Sequence, residues 1–150
     1  LFVLQAFTKI YAVPGIRLGY GISSDKALLE RMETVRQPWS VSTPAQAAGL
    51  SALKEDHREE QTRQLVKSER ERMEKELENL RIEYIPSEAN FLLFNSEINW
   101  FEELKKRGIL IRDCANYRGL GNGWYRLAVR LPEENDRLLE CMKQVLNERS

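Results

Sequence analysis

The stretch "AFTKIYAVPGIRLGYG", residues 6–21, decides how this chain is read. It grows out of "LFVLQAF", an almost wholly apolar run over residues 1–7 that reads as a strand buried on both faces. Thr8 and Lys9 stand where that strand runs out, so Lys9 points into whatever cleft the strand ends line. Pro14 and Gly15 then mark a loop, Arg17 follows, and "RLGYGIS" returns to an apolar, β-favouring run. Two cations, Lys9 and Arg17, are thereby brought to the same strand ends.

Outward from this stretch the chain alternates in character. "SSDKALLERMETVRQ" offers Ser24 or Asp25 as a helix N-cap and spaces Leu28, Leu29, Met32 and Val35 as an amphipathic helix does, with Pro38 ending it. "STPAQAAGLSALK" has a hydroxyl cap, a proline allowed in the first turn and small residues that let a helix pack closely, the composition of a buried helix. From Glu55 to Asn79 charges of both signs interleave around a narrow stripe of Leu65, Val66, Met73 and Leu77, which predicts a long, mostly solvated helix with His57 exposed on it. Beyond it "IEYIP", "ANFLLFN", "ILIRD" and "WYRLAVRL" read as strands, while "INWFEELKKRG" and "PEENDRLLECMKQVLNE" read as helices. The expected fold class is α/β, with one sheet covered by helices in the C-terminal portion.

Composition narrows the function classes. With 23 basic against 23 acidic residues, no overall field favours nucleic acid or an anionic membrane. No apolar run is long enough to span a bilayer and no signal-peptide pattern is present, which makes the cytoplasm the expected location. The 2 cysteines, Cys114 and Cys141, and the 1 histidine give neither a disulfide framework nor a zinc-ligand spacing, so no metal is expected. Leu1 opens the chain inside a strand with nothing before it to pair with, and we expect a missing upstream part.

A hydroxyl residue, a lysine, a Pro/Gly loop and an arginine leading into "RLGYG" resemble the cofactor-lysine segment of fold-type-I pyridoxal-phosphate (PLP) enzymes of the aminotransferase class I/II family. "QPWSVSTPAQAAG", "SEANFLLF" and "YRLAVRLPEENDRLL" resemble further segments of that family, in the family's order. The resemblance covers the whole chain and only the C-terminal part of the family's length. It implies the end of the large PLP-binding domain at residues 1–53, a linking helix at 54–79 and the small C-terminal α/β sandwich domain at 80–150. "RGILIRDCANYRGLG" and the "AVR" ending, where "TVG" is expected of histidinol-phosphate aminotransferases, are similar to the threonine-phosphate decarboxylase branch of the cobalamin pathway.

The roles that follow from the resemblance fit the chemistry of the side chains. Lys9 would bind the cofactor aldehyde through its amine and move the proton at the substrate, as a lysine does when desolvation and a neighbouring cation favour its neutral form. Arg17 would hold the cofactor phosphate through a charge-assisted fork, with Thr8 a second phosphate or backbone contact. Arg126 would grip the substrate α-carboxylate, planar fork on planar anion. Asn90, Arg112, Asn116 and Arg130 are weaker candidates for the substrate end, with Arg130 or Arg112 a partner for a substrate phosphate.

Three positions depart from the family. Ala6 stands where a serine or threonine bonds the cofactor phosphate, Gln5 where an arginine is expected, and Ser42 where relatives commonly have asparagine. One lost hydrogen bond to phosphate costs about 1–3 kcal/mol of cofactor binding. The residues that pair with the pyridine nitrogen and stack on the ring lie upstream of the lysine in the family, so the chain alone is expected to be inactive. The resemblance implies a homodimer acting on a phosphorylated amino acid, by decarboxylation ahead of transamination. The alternatives are a histidinol-phosphate or other class I/II aminotransferase and a non-catalytic small-domain module.

Overall fold

The computed structural model describes residues 1–55 and 57–149. The chain divides into two compact units, Leu1–Thr62 and Arg63–Ser150, with the division falling inside one long helix.

In the first unit β1 (Phe2–Ala6) pairs antiparallel with β2 (Gly19–Ser23). A single 3-10 turn at Pro14–Ile16 interrupts the loop between them. The doubly buried strand expected of "LFVLQAF" is not what the structure shows. β1 is exposed along its length, Leu4 at 76%, because β2 is its sole ladder partner among the described residues and no layer covers either face.

Two helices follow. α1 (Lys26–Val35) is capped by Asp25, whose carboxylate accepts from Leu28 N–H at 2.9 Å. α2 (Thr43–Ala52) is capped by Ser42, whose hydroxyl accepts from Ala45 N–H at 3.3 Å. That gives Ser42 a structural task of its own. Close packing of α2 is confined to one stripe: Ala45 and Gly49 are buried while Leu50 stays 64% exposed, so the helix is not the buried one its composition suggested. Gly49 meets the loop ahead of β2. A Cβ there would lie 2.5 Å from Leu18 Cδ2 and 3.9 Å from Phe7 Cε1.

α3 (Arg58–Asn79) starts later than the charge run that predicted it. Lys54 N–H donates to Ser51 O and Glu55 N–H to Ala52 O, so the end of α2 uses those residues in a tighter final turn. His57 lies exposed in the turn ahead of the helix rather than on it.

The second unit is a four-stranded antiparallel sheet in the order β3 (Glu83–Ile85), β4 (Phe91–Asn95), β6 (Trp124–Ala128), β5 (Arg112–Asp113). α3, α4 (Trp100–Lys106) and α5 (Pro132–Asn147) bring Met73, Leu77, Trp100, Leu104, Leu138, Leu139, Met142 and Val145 against Leu92, Phe94, Tyr125 and Leu127 of the sheet. Each such apolar side chain contributes about 1.5–3 kcal/mol when fully buried. The period-2 alternation of the strands leaves a second row facing away from these helices, with Phe91 and Leu93 on β4 and Arg126 and Ala128 on β6. The ladder takes two residues of "ILIRD", so the strand read there is much shorter than its apolar run.

A buried polar link ties α3 to the start of α5. Asn135, 1% exposed, donates to Glu69 Oε2 at 2.7 Å and to Arg130 O at 2.9 Å, and accepts from Arg130 N–H at 3.0 Å. Arg72 holds Glu69 through two further bonds and reaches Asp136 at 2.6 Å. No helix among the described residues is long and apolar enough to cross a membrane, and no group of three metal-ligating side chains occurs among them.

Candidate functional site

Lys9 stands at the tip of a turn built by its neighbours. The rings of Phe7 and Tyr11 stack with centroids 4.7 Å apart, and Phe7 is 4% exposed. Ala12 N–H donates to Lys9 O at 2.9 Å and Val13 N–H to Phe7 O at 3.4 Å, while Phe7 N–H donates to Leu18 O at 3.1 Å to close the loop's base. Thr8 is half-buried in the same turn and Lys9 is exposed.

Arg17 ends the loop in the left-handed region at φ 58°, and Ala12 lies there too at φ 53°. Non-glycine residues in that region are uncommon and persist where the surrounding structure holds them. One Arg17 nitrogen, Nη1, donates to Pro14 O at 3.1 Å. Neither Lys9 nor Arg17 has a carboxylate partner among the described residues. An amine and a guanidinium without carboxylate partners on one closed loop suit a ligand bearing both an aldehyde and a phosphate, so these residues fit PLP.

In the second unit, Arg112 and Arg126 are Cα partners across the β5–β6 ladder, so their side chains rise from one face of the sheet. Arg126 sits over the Phe91 ring at 5.0 Å and Arg112 over the Tyr117 ring at 5.4 Å. Arg112 also donates to Asn116 Oδ1 at 3.2 Å. No carboxylate pairs with either guanidinium among the described residues. Beside them Cys114 is 1% exposed; burial pushes its thiol up, with Arg126 and Arg112 pulling the other way.

Arg112, Arg126 and Arg130 line one cleft of about 390 Å³, joined by Arg137, which sequence reasoning missed. Arg130 is engaged by Glu134 at 2.8 Å and is mostly exposed, so a ligand there has to compete with that carboxylate. Asn90 is not in the arginine row. Its carbonyl accepts from Val129 N–H at 2.9 Å, which extends the β4–β6 register and sets it opposite a residue on the core-facing row. Sequence reasoning also missed Phe91, whose place beside Arg126 was readable from strand alternation, and Tyr11, whose partner lies far along the chain.

Residues 1–141 match the aminotransferase class I and II family, and the chain belongs to that family, whose members are PLP-dependent. Among particular relatives, the threonine-phosphate decarboxylase of Salmonella typhimurium is 39% identical over 150 residues, which cover 97% of this chain and 41% of that protein. The histidinol-phosphate aminotransferase of Symbiobacterium thermophilum is 38% identical over 149 residues, covering 97% and 40%. The crystal structure of histidinol-phosphate aminotransferase from Clostridium acetobutylicum superposes with a TM-score of 0.92 at 32% identity, over 99% of this chain and 46% of that one. The chain thus spans about two fifths of the length of the relatives it matches.

Proposed function

We propose that this chain is the C-terminal part of a PLP-dependent L-threonine-O-3-phosphate decarboxylase. The observation that supports the reading best is the arrangement of cations without a carboxylate partner among the described residues: Lys9 and Arg17 on one loop, and Arg112 beside Arg126 on one sheet face. Lys9 Nζ would bind the cofactor aldehyde and, once displaced by the substrate amine, would deliver the proton that takes the place of the departing carboxylate at Cα. Arg17 would hold the cofactor phosphate, with Thr8 as a second contact. PLP, when bound, supplies the electron sink for the bond broken at Cα.

Arg126 grips the α-carboxylate through its planar fork, kept in place by the Phe91 ring. Arg112, steadied by Asn116 and Tyr117, takes the substrate phosphate, and Arg130 becomes a second phosphate ligand when Glu134 releases it. Asn90 is kept as a candidate for the substrate end on the family resemblance; it lies outside the arginine row, with its carbonyl bonded to Val129 N–H. On the family resemblance, residues 1–53 would be the end of the large domain, 54–79 the link, carried by α3 from Arg58 onward, and 80–150 the small domain. The whole enzyme is a cytoplasmic homodimer of the cobalamin pathway.

A second reading, histidinol-phosphate aminotransferase, is favoured by the superposition on the Clostridium enzyme. Both substrates present a phosphate, so one arginine-lined cleft serves either. The test is a pair of assays on the complete gene product loaded with PLP. Release of carbon dioxide from O-phospho-L-threonine is the expected result; amino transfer from histidinol phosphate without it would establish the second reading instead.

A further inference from the structure

The turn that displays Lys9 is held from outside as well as from within. Inside the turn, Tyr11 lies flat on Phe7, which is buried and met edge-on by Tyr20 at 6.0 Å. Outside it, the Tyr11 hydroxyl donates to Glu59 Oε1 in the first turn of α3, a residue 48 positions along the chain but within the same compact unit. The hydrogen bond to Glu59, with burial adding to it, raises the Tyr11 phenol above its ordinary value, so the hydroxyl remains a donor across the neutral range. Ala12, the residue that follows Tyr11, lies at φ 53°, a conformation a free turn would leave. The β1–β2 ladder uses neither Tyr11 nor Glu59.

We propose that Tyr11 and Glu59 are a positioning pair for Lys9: the ring stacked on Phe7 and the hydroxyl fixed on the α3 carboxylate hold the turn so that Nζ is presented in one direction. The inference rests on the reading of Lys9 as the cofactor lysine. Neither residue touches the reacting atoms. Both act through the backbone of Lys9 to Ala12, whose own hydrogen bond is the clasp that would open.

The test compares the complete gene product with Tyr11→Phe, Glu59→Ala, Glu59→Gln and the Tyr11→Phe/Glu59→Ala double variant. Three quantities are read: hydrogen exchange at the Ala12 amide, the rate at which added PLP becomes trapped on Lys9 by borohydride, and the circular dichroism of the cofactor band per bound cofactor. Tyr11→Phe and Glu59→Ala should each speed Ala12 exchange and slow trapping about tenfold, the size of one hydrogen bond to a charged group. Their dichroism should weaken. In the Glu59→Ala background Tyr11→Phe should add little, since the hydroxyl has already lost its acceptor, and Glu59→Gln, which keeps an oxygen acceptor, should restore most of the loss of Glu59→Ala.

Effects that multiply in the double variant, or dichroism per bound cofactor that stays at the wild-type value in both singles, would overturn the proposal. If the unaltered protein traps no PLP on Lys9, the enzyme reading fails separately. Ala12 exchange then decides the pair alone: about tenfold faster in both single variants upholds the clamp on the turn, and an unchanged rate removes it.

Discussion

Arg112 and Arg126 face each other across the β5–β6 ladder, two like charges at directly opposed positions with an aromatic ring under each and no carboxylate between them among the described residues. Directly opposed like charges cost a sheet about 0.2–1 kcal/mol. Cation–π contacts at exposed sites return about 0.5–1 kcal/mol each. For each arginine its own ring contact nearly offsets the shared repulsion, which leaves an arrangement that gains from a bound anion.

Replacing Arg112 by Gln therefore should leave the melting temperature almost unchanged in phosphate-free buffer, since the repulsion and the Tyr117 contact disappear together. The stabilisation produced by added inorganic phosphate should fall by about tenfold in apparent affinity, the size of a charge-assisted contact. Thermal melts across a phosphate titration check both halves; a phosphate response equal to that of the unaltered protein would remove Arg112 from the anion site.

Acid should destabilise the second unit through Glu69. Hydrogen bonds from Arg72 first, with Asn135 adding to them, hold its carboxylate below the ordinary 4.5, against the opposing effect of burial. In the unfolded chain Glu69 takes its proton near pH 4.5, while in the folded chain it resists to lower pH. The extra stability is therefore complete above that value and is lost as pH falls from about 4.5 through the lower folded pKa. Denaturant titrations at neutral pH and in mild acid should show a shallower pH slope for Glu69→Gln than for the unaltered chain.

Gly49 sets how closely α2 approaches the Lys9 loop. In Gly49→Ala the added methyl pushes on Leu18 Cδ2, the free end of a flexible side chain, while the helix gains up to about 1 kcal/mol from losing a glycine. The net change should be small. Gly49→Val adds branches that must displace Phe7 as well and should cost about 1–3 kcal/mol. Paired denaturation curves for the two variants check the contrast.

Ala6 ends β1 opposite Gly19, and the family resemblance implies a hydroxyl there for the cofactor phosphate. Ala6→Ser should tighten PLP binding at least about fivefold, the lower end of the about 1–3 kcal/mol that one hydrogen bond to an anion is worth. Equilibrium titration of cofactor absorbance in the complete gene product measures it.

Much of this architecture is legible in the residues. Leu92 and Phe94 alternate with Phe91 and Leu93, Pro132 opens α5, and Ser42 and Asp25 cap their helices, because each rests on a local period or a local hydrogen bond. What local patterns do not contain is pairing. "LFVLQAF" reads as buried from its composition, yet burial depends on layers that the described residues do not supply. The opposition of Arg112 and Arg126 depends on β6 lying between β4 and β5. Tyr11 meets Glu59 across 48 residues, and no spacing rule links an aromatic in a loop to one glutamate among many in a charged helix. Arg130 reads as a substrate ligand from its place in the motif, while its bond to Glu134 follows from the helix that begins after it.

The measurement that tests the central claim most directly is borohydride reduction of the complete gene product after incubation with PLP, followed by peptide mapping. A pyridoxyl group on Lys9, with a cofactor absorbance band that Arg17→Ala weakens, is the predicted result. An unmodified Lys9, or label scattered over other lysines with Arg17→Ala indistinguishable from the unaltered protein, would contradict it.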